Sequence, residues 1–384
     1  MDFAKVPVSA RATRVHRLFE LVANRGVRSK DSLFGKLRLG GRRADYDDEN
    51  YTFHGGPADE LRRQHFDKSL RLLWKAERSA PFLPFKDANP LERAISDQAL
   101  KALSPDERAV VERMSSDAFK ALLRREYTLR ERQALVSLLS AVGHGEAYAW
   151  LVASEMIGSL KSTGAKAAAT AQVLEEAKHF VVLRELVLAF ELPVPRLTAW
   201  EYLLLEGVLR MDGLEKLFGM NVIVEGIALS LFGALGHLPG MEVLKLFHLD
   251  EARHTALPQN YFKVFPMSAW QRHNPFARLS RFRLIVGALP LIFALEDDMA
   301  ELGLDAFEFG GSVVRKVAGL AKRVGFFLPV PLDGFVSSLD MVFNAYCRLT
   351  RPEHSYRKFS GVETSHRSVR GVEREILGAS LVGA

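Results

Sequence analysis

From about residue 93 onward, apolar positions recur at helical spacing, and no stretch shows the strict alternation of a half-buried strand. The chain therefore reads as all-α. Residues 1–60 are polar, basic and broken by Gly40-Gly41 and Gly55-Gly56-Pro57, the pattern of a poorly structured arm. Short helices are expected at about 58–78, 91–103, 105–114 and 115–126, with Ser104-Pro105-Asp106-Glu107 as a good start signal. Four long helices are then expected near 129–161, 164–191, 212–236 and 240–263. Tight turns at Lys161-Ser162-Thr163-Gly164 and Gly236-His237-Leu238-Pro239-Gly240 make two antiparallel hairpins of them. A segment at 198–210, after Leu192-Pro193-Val194-Pro195, serves as a crossover helix. Further helices are expected at 276–303, 305–324 and 331–347. The resulting organisation is an arm to 60, short helices at 61–128, a four-helix bundle at 129–263, added helices at 264–350 and a polar tail at 351–384.

Each hairpin carries one Glu-x-x-His motif, in Glu175-Glu176-Ala177-Lys178-His179 and in Asp250-Glu251-Ala252-Arg253-His254. Three residues apart on a helix, a carboxylate and an imidazole share one face. So short a motif also arises by chance, and Glu363 to His366 in the polar tail is plausibly such a match. What strengthens the pair is a lone acid on each of the other two helices. Glu146 interrupts Ala141-Val142-Gly143 and Ala147-Tyr148-Ala149-Trp150, and Glu225 interrupts Val222-Ile223-Val224 and Gly226-Ile227-Ala228-Leu229. A carboxylate among apolar neighbours is costly unless it is paired, neutral or turned to solvent.

Height along the bundle favours pairing. Counted from the first turn, Glu146 lies 17 residues back and Glu176 and His179 lie 13 and 16 on; in the second hairpin Glu225 is 13 back and Glu251 and His254 are 13 and 16 on. At about 1.5 Å per residue all six sit roughly 20 to 26 Å from their turns. They meet at one level.

With this set the sequence resembles the ferritin-like di-iron carboxylate superfamily, which includes bacterial multicomponent monooxygenases, acyl-carrier-protein desaturases, ribonucleotide reductase small subunits and arylamine N-oxygenases. The resemblance covers about residues 129–263 and implies a ferritin-like four-helix bundle. It implies that Glu146, Glu176 and His179 bind one iron and Glu225, Glu251 and His254 the other, with one or two carboxylates bridging. Oxygen and imidazole donors without thiolate suit iron, or manganese, better than a closed zinc site. It further implies that Glu175 and Asp250 each accept a hydrogen bond from a histidine ligand on the partner helix. His248 is a candidate extra ligand, although the relatives' additional histidine falls one position earlier, at Phe247.

The implied activity is O₂-dependent oxidation of a small, partly apolar organic substrate by monooxygenation, N-oxygenation or desaturation. The alternative is an iron-binding or ferroxidase protein with no organic substrate. A radical-generating reductase subunit is disfavoured, because its tyrosine four residues after the first histidine is Leu183 here. Candidate pocket residues are Tyr148, Ala149, Trp150, Phe180, Leu183, Gly226, Leu229 and Phe232, with core packing as the alternative role. No flavin, nicotinamide or iron-sulfur motif appears, so electrons must come from an external donor or reductase. A homodimer is expected.

Charge changes one part of this picture. The 384 residues hold 52 Lys+Arg and 46 Asp+Glu, net +6. Residues 1–43 carry +8 and 345–384 carry +3, which leaves −5 between them. A basic groove interleaved with aromatics is therefore missing from the body, and nucleic acid is not an expected partner. The longest apolar run, Leu284 to Leu295, is too short to span a bilayer and contains Pro290, so a kinked buried helix is expected. A single cysteine, Cys347, excludes an intramolecular disulfide. A cytoplasmic location is the expectation.

Overall fold

The computed structural model describes residues 5–37, 46, 116–161 and 163–350. Helices and their connections account for these residues, and no strand occurs among them. The short helices expected at 58–114 and the tail at 351–384 lie outside the described residues.

Where an arm was expected, Ala10–Leu37 forms a helix, α1. Its inner face carries Ala12, Val27 and Asp31, all buried. It packs against the crossover helix, where Tyr202 donates its hydroxyl to Asp31 Oδ2 at 3.0 Å. The basic residues that suggested an arm occupy the other faces: Arg11, Arg14, Arg17, Arg25 and Arg28 are exposed. After α2 (Asp117–Glu126), which Ser116 caps, the long helix α3 (Leu129–Met156) begins at a capping box. There Glu131 N donates to Thr128 Oγ1 at 3.3 Å while Thr128 N donates to Glu131 Oε2 at 2.8 Å. Helix α4 (Thr163–Leu188) returns alongside it. The crossover α5 (Ala199–Leu209) starts from a second capping box, Thr198 with Glu201.

The third long rod is continuous but not uniform. It opens at Glu215–Leu217, widens into a π-helical stretch at Phe218–Val224, and continues as α6 (Glu225–Leu235). Helix α7 (Leu244–Val264) runs back along it and contains Pro258. The two hairpins face one another, with α4 against α7 and α3 against the π-helical stretch. Two of these helical segments, Leu129–Ser159 and Glu215–Leu235, are long and apolar enough to cross a membrane. Their apolar windows are 67% and 78% buried inside the fold, so packing against the other helices accounts for that apolarity.

The expected helix at 276–303 is instead three pieces: α9 (Pro275–Ala288) after the short α8 (Ala269–His273), then α10 (Pro290–Ala294) and α11 (Glu296–Glu301). Pro290 has no N–H to offer Val286, whose carbonyl is taken by Leu289 N at 3.3 Å, and the chain bends there. The apolar run 284–295 thus spans this bend, with only Leu284 and Ile285 fully buried. Helices α12 (Ala306–Val324) and α13 (Leu332–Thr350) complete the described chain. Helix α12 lies on α6, α7 and the π-helical stretch, closing one side of the bundle.

Candidate metal centre

All six carboxylate and imidazole side chains singled out by spacing come together. Glu146, Glu176, His179 and Glu251 present ligand atoms within 4.8 Å of one another, and so do Glu176, Glu225, Glu251 and His254. The two groups share Glu176 and Glu251, one from each Glu-x-x-His motif. Each group could hold a cation, and two carboxylates are common to both. None of the six is more than 3% exposed.

Both imidazoles turn Nδ1 inward. His179 Nδ1 lies 3.5 Å from Glu146, 3.8 Å from Glu176 and 3.1 Å from Glu251; His254 Nδ1 lies 3.2 Å from both Glu176 and Glu251 and 3.6 Å from Glu225. Their Nε2 atoms face outward to acids on the opposite helix. His179 meets Asp250 Oδ2 at 3.1 Å and His254 meets Glu175 Oε2 at 2.8 Å. The pairing is reciprocal, because the acid preceding each motif holds the histidine of the other. Arg253 ties the two acids together, donating Nη2 to Glu175 Oε1 at 2.9 Å and to Asp250 Oδ1. When Nε2 donates its proton to these acids, the Nδ1 lone pair is left for a cation.

Two further polar side chains, not anticipated from the sequence, hold the Glu225 side of the cluster. Gln172 Nε2 donates to Glu176 Oε1 at 3.0 Å and to Glu225 Oε1 at 2.7 Å. Asn221 Nδ2 donates to Gln172 Oε1 at 2.9 Å and to the His254 carbonyl at 3.0 Å. That carbonyl is available because its helical partner would be the N–H of residue 258, which is proline. Asn221 reaches it from the π-helical stretch that ends against Glu225. Gln172 sits one turn before Glu176, which is the only sequence signal for it.

The charges explain why so polar a cluster is buried. Burial pushes the Glu146 carboxyl well above the ordinary carboxylate range, and the charges of Glu176 and Glu251 add to the effect against the pull of His179. Burial acts the same way on Glu176, but the His254 charge and the close approach of both histidines outweigh it and hold that carboxyl well below its usual value. Burial would also lower both histidines. The acids around them win instead, and His179 and His254 rise well above the ordinary imidazole value. Even so, Glu146 Oε2, Glu176 Oε2, His179 Nδ1 and Glu251 Oε1 are buried with no hydrogen-bond partner. These orphaned atoms belong to one four-residue group and converge where a cation fits. Four carboxylates also match the charge of two divalent ions. The residues present therefore fit a pair of hard or borderline cations.

The other candidates lie elsewhere. His248 is 3% exposed and its Nδ1 bonds the Leu229 carbonyl at 2.7 Å, outside both four-residue groups. Phe247 instead stacks on the His179 ring, centroids 4.2 Å apart, with Phe232 edge-on to it at 5.4 Å.

Beside the cluster lies an apolar cavity of about 130 Å³. Glu146 and Glu225 form part of its wall; the rest is almost entirely aliphatic, drawn from α3, α5, the third rod, α9, α10, α12 and α13. Of the eight candidate pocket residues, Ala149 lines it. Tyr148 and Leu183 are packed in the core, and Phe180 lies beside Trp150 with centroids 6.5 Å apart. Leu229 packs on Ala252, Phe232 packs near His179, and Gly226 lies against Val317. The aromatic residues next to the motifs are not among its lining, much of which comes from α12 instead. Sequence spacing around the ligands does not disclose this, since the covering helices come from 275–350.

Comparisons with protein-family models, with curated proteins and with solved structures return no match.

Proposed function

We propose that this protein is a ferritin-like non-haem di-iron oxidoreductase that uses O₂ to oxidise an organic substrate. The reading is carried by the two four-residue groups that share Glu176 and Glu251. Glu146, Glu176, His179 and Glu251 would hold one iron and Glu176, Glu225, Glu251 and His254 the other. The chemistry an iron pair would supply here is reduction of O₂ coupled to oxidation of a bound substrate.

This chain's own residues divide the remaining work. Asp250 and Glu175 fix the orientation and tautomer of the two histidines. Gln172 and Asn221 hold the Glu225 carboxylate and the His254 backbone in register. Phe247 and Phe232 wall off the His179 side from water. The cavity against Glu146 and Glu225 favours substrate oxidation over iron storage, because storage needs no apolar chamber beside the ligands. Manganese at one position is compatible with the same donors.

The test is anaerobic Fe(II) loading followed by mixing with oxygenated buffer. The proposal expects O₂ consumption well above that of free iron, with a transient visible absorbance. No uptake beyond the free-iron rate would refute it.

A further inference from the structure

The cavity specifies more than the presence of a substrate. Its wall has three ionisable residues, Glu146, Glu201 and Glu225, and each carboxylate faces other side chains or backbone of the bundle. Glu146 lies 3.5 Å from His179 Nδ1, Glu225 accepts from Gln172 Nε2 at 2.7 Å, and Glu201 accepts from Thr198 N at 2.6 Å and sits 3.4 Å from His144 Nδ1. No Ser, Thr, Asn, Gln, Tyr, Lys or Arg lines it. A polar or charged group pushed inside would lose its hydration with nothing to replace it. What remains is aliphatic surface, chiefly Leu, Ile and Val, with Phe309 and Phe335 toward α12 and α13.

Two small residues set how closely a ligand approaches the cluster. Ala149 stands three residues after Glu146 and Ala228 three after Glu225. One helical turn beyond each lone acid, they share its face, and both line the cavity. Any longer side chain at either place would occupy the space beside the carboxylate. Elsewhere in the wall Ile292 packs against Gly310, where an added Cβ would come within 2.4 Å of Ile292 Cδ1, so this part of the wall is closed tightly.

We infer that this cavity binds a neutral hydrocarbon segment of about six carbons, seated against Ala149 and Ala228 beside Glu146 and Glu225, and that any polar group on the substrate stays outside. The size follows from volume: an apolar cavity of roughly 150 Å³ stays dry and admits benzene, and this one is about 130 Å³. The assignment of this segment as substrate rests on the oxidoreductase reading; the binding does not.

Benzene is the probe, added to the protein in metal-free and Zn(II)-loaded forms, with the alanine methyl groups observed by NMR. The Ala149 and Ala228 methyl signals should shift saturably in both forms. Ala149→Leu and Ala228→Leu, each checked for a native helical spectrum, should weaken benzene binding at least tenfold. Unmoved Ala149 and Ala228 signals in the unsubstituted protein, or benzene binding of unchanged affinity in a folded leucine variant, would overturn the inference. The metal reading stands or falls separately. Benzene binding without any metal uptake would sustain the cavity and sink the di-iron centre, while metal uptake without benzene binding would do the reverse.

Discussion

At the scale of single residues, the cluster rests on partners that act through the ligands. Gln172 is the clearest, since one amide nitrogen serves Glu176 and Glu225 from two helices. Gln172→Leu should weaken binding at the Glu225/His254 position about 10- to 100-fold. The Glu146/His179 position should change little, so a metal titration that shows one affinity in the native protein should split into two. Gln172→Glu, which keeps length but not the donor, should not rescue it. The protonation states give a second expectation. In the metal-free protein Glu146, His179 and His254 all have raised values, so folding is favoured where they stay protonated. That contribution is complete below their unfolded values and is lost as pH rises through the folded ones. Asp250 and Glu175 are lowered: burial alone would raise both, but His179 and His254 respectively, with Arg253, prevail. Their contribution is lost in acid instead. The melting temperature of the metal-free protein should therefore fall as pH is raised from about 6.5 to 8, near and above the ordinary histidine value. Metal loading, which expels these protons, should stabilise more at pH 8 than at pH 6.5. Thermal melts of both forms across that range check it. The six acids and histidines were legible in the sequence because the lone carboxylates broke apolar runs and the spacings agreed. Gln172 and Asn221 were not, because an amide one turn from a ligand looks like any polar helix residue.

At the scale of elements, the helices that carry the cluster follow from their sequence, but their local distortions do not. The expected spans 129–161, 164–191, 212–236 and 240–263 correspond to α3, α4, the third rod and α7. The π-helical stretch at Phe218–Val224 was invisible, since a one-residue widening barely changes apolar periodicity. It nevertheless sets the place of Asn221 and the start of Glu225. Gly219 is part of what permits it. A Cβ there would lie 2.7 Å from Met211 Sδ and 3.0 Å from Val208 Cγ1, and the β-branched valine has little freedom to yield. Gly219→Ala should cost about 1–3 kcal/mol of stability by overpacking. It should also reduce metal affinity at the Glu225 position, which denaturant melts and titration would resolve together. Pro258 was visible as a residue but not as a device. In α7 it leaves the His254 carbonyl for Asn221, and so links the third rod to the fourth beside the ligands. The misread N-terminal segment has a simple cause: α1 buries only a narrow face, so its exposed arginines dominated the pattern.

At the scale of the whole molecule, residues after the bundle turn a metal cluster into a chamber. Helices α9, α10, α12 and α13 supply much of the apolar wall that meets Glu146 and Glu225. Arg281, fully buried on α9, anchors this layer to the third rod through Glu215 at 2.7 Å and 2.5 Å, and it also donates to the Gln271 and Phe327 carbonyls within the layer. The existence of these helices was readable from periodicity, but their place over the bundle was not, because nothing local in 275–350 records which face they cover. The formal charge takes on a different meaning too. Some acids in the net −5 body are buried beside histidines rather than exposed to solvent. All of this depends on one claim, that the six side chains hold two metal ions per chain. The direct measurement is iron per chain after anaerobic Fe(II) loading and removal of free metal: two is the result this account predicts, and one or none would contradict it.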